Sequence, residues 1–90
     1  MKEQFQERKM VIVMTKREIE KCEKLMEAAI RYAKESQEEL ENTITEKDKI
    51  VREVLNNKGF EHYGYAQGIN HVLVDLGFKH ERMKELHKYL

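Results

Sequence analysis

Proline and tryptophan are missing from this 90-residue chain, glycine occurs four times and cysteine once. Without proline and with so little glycine, the chain is neither collagen-like nor a Pro/Gly-rich low-complexity segment. A single cysteine, Cys22, has no partner within the chain and excludes a disulfide scaffold. Long apolar runs are missing too. The longest candidate, Met10-Val11-Ile12-Val13-Met14, falls short of both a membrane span of about 18 residues and a signal-peptide core of roughly 7–15. These absences lead us to expect no membrane association and a cytoplasmic protein.

An excess of one charge is also absent. Lysine and arginine number 17, aspartate and glutamate 17, so the formal net charge is zero. Residues 1–14 carry three positive and two negative charges, residues 15–58 ten and eleven, and residues 59–90 four and four. No third of the chain is a basic block, which argues against nucleic-acid binding driven by counterion release. A net charge near zero gives little colloidal repulsion and leaves self-association open.

What is present is helical. Residues 1–14 read as an N-terminal extension, flexible or loosely docked, whose Val11-Ile12-Val13 run is too short to make a sheet alone. Residues 15–90 read as one helical domain. Thr15 and Glu18 have the spacing of a capping box, and Met14 and Ile19 that of a hydrophobic staple. No glycine or proline follows until Gly59. Ile19, Cys22, Met26, Ala29 and Ala33 recur at steps of three and four, with Leu25, Ile30 and Tyr32 widening the stripe. Glu20 with Lys24 and Glu27 with Arg31 lie four apart on the polar side, as on a solvated helix face.

This pattern predicts a long first helix, continuous from about 16 to 57 or broken near Thr43. There Asn42-Thr43-Ile44-Thr45 gathers poor helix formers, and Thr45 followed by Asp48 could cap a new helix. Gly59-Phe60 predicts a helix stop, as does Gly77-Phe78. Between them a second, shorter helix would bury Tyr65, Ile69, Val72, Leu73 and Leu76. A last short helix would turn Met83, Leu86 and Leu90 inward.

An unbroken helix over 16–57 would span about 63 Å at 1.5 Å per residue, more than the two short helices could cover. The expectation is therefore an all-α fold assembled as a coiled-coil-like homodimer. Its self-association stripe would be Ile19, Cys22, Met26, Ala29, Ile30 and Ala33.

Motifs that carry chemistry are few. His62, His71, His80 and His87 include no i, i+3 or i+4 pair, and no HExxH or CxxC occurs, so no metal or cofactor site is expected. Cys22 lies on the apolar stripe with no histidine near it in sequence, which reads as a small core residue. No phosphate-binding glycine loop is present. No catalytic residue is assigned, and the chain is read as a non-enzyme. Gly64 and Gly68, four apart, are expected to allow a tight crossing against Ala28, Ala29 or Ala33. Phe60, His62 and Tyr63 form the candidate partner surface, with Tyr63 the exposed aromatic, because aromatics are enriched in interface cores.

Tyr63, Tyr65-Ala66-Gln67-Gly68-Ile69-Asn70 and Val72-Leu73-Val74-Asp75-Leu76-Gly77-Phe78 resemble the C-terminal helix of small phage and prophage proteins of Gram-positive bacteria. The resemblance covers about sixteen residues and transfers no catalytic or binding residue. It implies a bacterial or phage-infected cytoplasm and a protein that acts by binding a host protein. Together these readings define a helical protein-interaction module with another protein as its possible target. The alternative is a small helical nucleic-acid-binding regulator.

Overall fold

The computed structural model describes residues 14–90 as three helices with no strand among the described residues: α1, Lys16–Thr45; α2, Lys49–Asp75; and α3, Met83–Tyr89. The proposed extension, apart from Met14, lies outside the described residues. Met14 itself is half-buried against the core.

The start of α1 is the one its sequence encodes. Thr15 accepts from the Glu18 amide through its hydroxyl at 3.2 Å, and Glu18 returns the contact by accepting from the Thr15 amide at 2.8 Å. Two N-terminal amide donors that the helix itself cannot pair are satisfied this way.

The long helix breaks after Thr45. Thr43 and Thr45 turn their hydroxyls onto the carbonyls of Glu39 and Asn42, at 2.9 and 3.3 Å. Such side-chain bonds compete with helix continuation. Glu46 is extended, and Asp48 caps the next helix by accepting from the amides of Ile50 and Val51 at 2.9 and 3.1 Å. Three residues thus join α1 to α2 as an antiparallel helical hairpin. At 1.5 Å per residue the arms are about 45 and 40 Å long, nearly equal.

Gly59 does not stop α2, which runs through it without interruption. Gly77 does stop it. Gly77 has φ 75°, its amide donates to Val74 O at 2.9 Å, and the Phe78 amide donates to Leu73 O at 3.0 Å, which together make a Schellman motif. The aromatic that follows each glycine separates the two cases. Phe78 is 7% exposed and anchors the turn, whereas Phe60 is 61% exposed and anchors nothing.

The core occupies the open end of the hairpin and its middle. Cys22, Met26, Ala29, Ile30 and Ala33 of α1 meet Ala66 and Leu73 of α2, and Phe78, Met83 and Leu86 close over them. Alanines at 29, 33 and 66 and glycine at 59 let the arms approach closely, and Ser36 donates to Gly59 O at 2.8 Å inside that contact.

This burial corrects the stripe expected to carry self-association. The stripe read as a homodimer seam is covered by the chain's own α2 and α3: Cys22, Met26, Ala29, Ile30 and Ala33 are all buried, and of the six only Ile19 remains exposed. The argument from an uncoverable 63 Å rod fails because the chain folds back at residues 46–48. Nor is α2 a shorter helix confined between Gly59 and Gly77, as it begins at Lys49 and has 27 residues.

Candidate functional site

The hairpin has two broad faces, and α3 covers one of them. It is seated by Met83 and Leu86 and pinned at its edges. Lys34 Nζ lies 3.2 Å from Glu85, Arg82 lies 3.7 Å from Glu27, and Tyr63 donates its hydroxyl to Leu90 O at 3.2 Å. His87 donates from Nε2 to Asn70 Oδ1 at 2.9 Å. His80 accepts the Arg82 amide on Nδ1, which leaves Nε2–H directed at Glu23, 3.5 Å away. The charges at this seat sit where their partners hold them. The Lys34 ammonium, ahead of Arg82, holds the Glu85 carboxyl below its ordinary value.

The opposite face is open. The antiparallel pairing that sets Tyr32 against Tyr65 (ring centroids 5.3 Å apart, edge-on) also places Ala28 level with Ile69 and Leu25 level with Val72, one helical step apart each time. Leu25, Tyr65, Val72 and Leu76 are 41%, 48%, 50% and 42% exposed, with Tyr32 and Ile69 partly buried between them. A single exposed leucine is ordinary on a surface, and it is the run of apolar side chains along one face that makes this the candidate site.

Polar groups bound this ladder toward the hairpin tip. His62 donates from Nδ1 to Glu39 Oε1 at 2.7 Å and stacks on Tyr32 with centroids 5.7 Å apart. The Arg31 guanidinium lies 5.4 Å from the Tyr32 ring centre. A shallow groove of about 550 Å³ runs beside Tyr32, Gly64, Tyr65, Gly68 and Ile69. Another, of about 410 Å³, lies on the α3 side beyond the end of that helix, lined by Leu40, Ile44, Tyr63 and Tyr89 among others.

The residues expected to meet a partner do not form one surface. Phe60 points outward, His62 is turned between the arms onto Glu39, and Tyr63 is half-buried under the end of α3. Their helical positions explain this, because 60, 62 and 63 lie about 160° and 100° apart around α2. Tyr65, expected in the core, is instead among the most exposed aromatics. Gly64 and Gly68 do not cross closely over the α1 alanines, since a Cβ at either would have nothing within 4 Å.

The open ladder draws on Leu25, Val72 and Leu76, which periodicity alone placed on a broad buried stripe. A signal for it exists in α2. The buried row of α2 is Gly59, Ala66 and Leu73, at steps of seven, with small residues at its first two positions, and Tyr65, Val72 and Leu76 lie about 80–120° to one side of it.

Among the described residues no group of three or more His, Cys, Asp or Glu is placed to hold a metal ion, and no helix is long and apolar enough to cross a membrane. Cys22 is a buried free thiol. Compared with protein-family models, curated proteins and solved structures, the chain matches none.

Proposed function

We propose that this chain is a non-enzymatic helical interaction module that works as a homo-oligomer in the cytoplasm and modulates another protein by binding it. The observation that carries the reading is the open apolar ladder, centred on Leu25, Tyr65 and Val72, on the hairpin face that α3 leaves uncovered. Half-exposed aliphatic and aromatic side chains in one contiguous strip gain roughly 25 cal/mol per Å² when another surface covers them. Two arms side by side, about 40 Å long and together about 20 Å wide, offer roughly 800 Å², the area each partner contributes to a standard specific interface. A second copy supplies an identical strip and needs no other component.

Size-exclusion chromatography with light scattering tests the assembly. At tens of micromolar the chain should elute with the mass of a dimer, and the double variant Leu25→Glu with Val72→Glu should elute as a folded monomer. A wild-type chain that stays strictly monomeric removes the homo-oligomeric reading.

A further inference from the structure

We infer that the chain has a second assembled form, a domain-swapped dimer. In it residues 46–48 become helical, Lys16–Asp75 runs as one rod, and α1 of each copy packs on α2 and α3 of the other. This form reuses the contacts inside the hairpin and does not depend on the open ladder.

The turn is held by hydrogen bonds and not by backbone sterics. Glu46, Lys47 and Asp48 include neither glycine nor proline, and none has a left-handed backbone. Glu46 and Asp48 both have φ −76°, inside the helical range, and reach the extended region through ψ of 128° and 122° alone. What opposes the rod is a small set of side-chain bonds. The Thr45 hydroxyl donates to Asn42 O, the Glu46 carboxylate accepts from the Asp48 amide, and the Asp48 carboxylate accepts from the amides of Ile50 and Val51. Straightening exchanges these for helical backbone bonds. Short hinges of this kind allow identical elements to be exchanged between copies.

The helical repeat also passes through the turn. Ser36, Leu40, Ile44, Lys47, Val51 and Val54 follow one another at steps of three and four, as on one face of an unbroken helix. The hairpin leaves this row unused where it crosses the turn. Ile44 is 83% exposed, and Val51 and Val54 are exposed as well. In the swapped pair this tip becomes the middle. The register that sets Ser36 against Gly59, carried eight residues on along α1 and eight back along α2, sets Ile44 of one copy against Val51 of the other. Two-fold symmetry makes that contact twice. The same register sets Lys47 of each copy against Asp48 of the other, so the charged member of the row meets an acid. Two antiparallel rods, each about 90 Å long, then join the two hairpin seams into one.

The contacts of α1 with α2 and α3 are the same in both forms, so the balance rests on the turn, the new middle and the concentration. A partner joined through a short connection competes at an effective concentration on the order of millimolar. The native chain at tens of micromolar is therefore a hairpin, and weakening the bonds of the turn brings the swapped form within reach.

The test uses full-length chains carrying Leu25→Glu and Val72→Glu, which disable the ladder and keep the swapped contacts. They are refolded from urea, so that opening of a folded hairpin does not limit exchange. Thr45→Ala with Asp48→Glu removes the threonine bond and the short side chain that caps α2, and keeps the acid opposite Lys47. This pair should tighten dimerisation at least tenfold by sedimentation, with a longest dimension of about 90 Å by small-angle scattering. Adding Lys49→Pro should then weaken dimerisation at least a hundredfold. Proline suits the first position of α2, where the amide has no helical partner and the preceding Asp48 is extended, so the hairpin keeps its fold. Inside a rod it removes a hydrogen bond and clashes with the preceding turn. A hinge pair that fails to tighten dimerisation overturns the swap. So does a dimer that Lys49→Pro leaves unchanged, as two hairpins meeting tip to tip would give. Neither result touches the ladder, which is tested in the wild-type chain. A strictly monomeric wild type removes the ladder dimer, and a hinge variant that dimerises and responds to Lys49→Pro still supports the swap.

Discussion

Gly59 and Leu40 occupy the same space. A Cβ built on Gly59 would stand 2.6 Å from both Cγ and Cδ2 of Leu40, closer than real carbon contacts come. The Leu40 side chain packs directly on the α2 backbone there, and Ser36, one turn earlier in α1, donates its hydroxyl to the Gly59 carbonyl. Glycine at a helix interior costs about 1 kcal/mol relative to alanine, so this position trades helix propensity for close contact.

Gly59→Ala therefore has opposite effects in two backgrounds. In the wild-type chain the overpacking, about 1–3 kcal/mol, outweighs the propensity gain and the variant is less stable. In a Leu40→Ala chain the obstruction is gone, and the same change should stabilise by about 1 kcal/mol. Urea denaturation of the four chains measures the coupling. A coupling of zero would contradict the contact.

The other glycines separate by the same reasoning. Gly77 is left-handed at φ 75°, so Gly77→Ala should destabilise by about 1–2 kcal/mol and loosen the seat of Phe78. Gly64 and Gly68 have helical backbone and open space, so alanine at either should stabilise the monomer by about 1 kcal/mol. Thermal unfolding of the three variants at low protein concentration checks the order.

Much of this architecture is legible in the amino-acid sequence. The capping box at Thr15 and Glu18, the stop at Gly77-Phe78 and the inward Met83 and Leu86 rest on local rules, and local rules hold there. The hairpin turn was visible as one of two alternatives, because threonines weaken a helix without forbidding it. What decides the turn is tertiary, since folding back buries the Cys22-to-Ala33 stripe in the same chain. Gly59 misleads because a glycine needed for helix contact and one needed for a left-handed turn are the same letter. The open face is hidden for a related reason. Apolar periodicity marks Tyr65, Val72 and Leu76 as facing a partner but does not say whether that partner belongs to the same molecule.

Stability should fall in acid through two identified carboxyls. The Glu18 carboxyl is held below its ordinary value of 4.5, first by the bond from the Thr15 backbone amide and then by the Thr15 hydroxyl. The Glu85 carboxyl is held down first by Lys34 and then by Arg82. A carboxyl whose folded value is depressed binds its proton more readily in the unfolded chain. Its stabilisation is therefore complete above 4.5 and is lost as pH falls through the folded value. Denaturation midpoints should be flat with respect to these two groups above pH 5 and decline below about 4.5. Thr15→Ala removes the hydroxyl but keeps the backbone amide that bonds the Glu18 carboxylate, so it should lower stability at neutral pH through the lost cap and make the acid decline only partly shallower.

The docking of α3 rests on Leu86. Seven residues are far too few for a helix to hold itself together in water, where about 12–15 is already marginal. Its edge contacts, Lys34 with Glu85 and Arg82 with Glu27, are solvent-exposed and of the kind that contributes little. Leu86 has no exposed surface and Met83 very little, so the attachment is apolar burial. Leu86→Ala should cost about 2–5 kcal/mol, within the range for large-to-small changes in cores. That loss is local before it is global. Amides of residues 83–90 should lose protection from hydrogen exchange first, and those of α1 and α2 should keep theirs, because Ala29, Ala33 and Ala66 pair the two arms directly. If all three helices lost protection together, α3 would be an integral part of the hairpin's cooperative unit. By contrast, Ile50→Ala, at a side chain 74% exposed near the hairpin tip, should change stability by no more than about 0.5 kcal/mol.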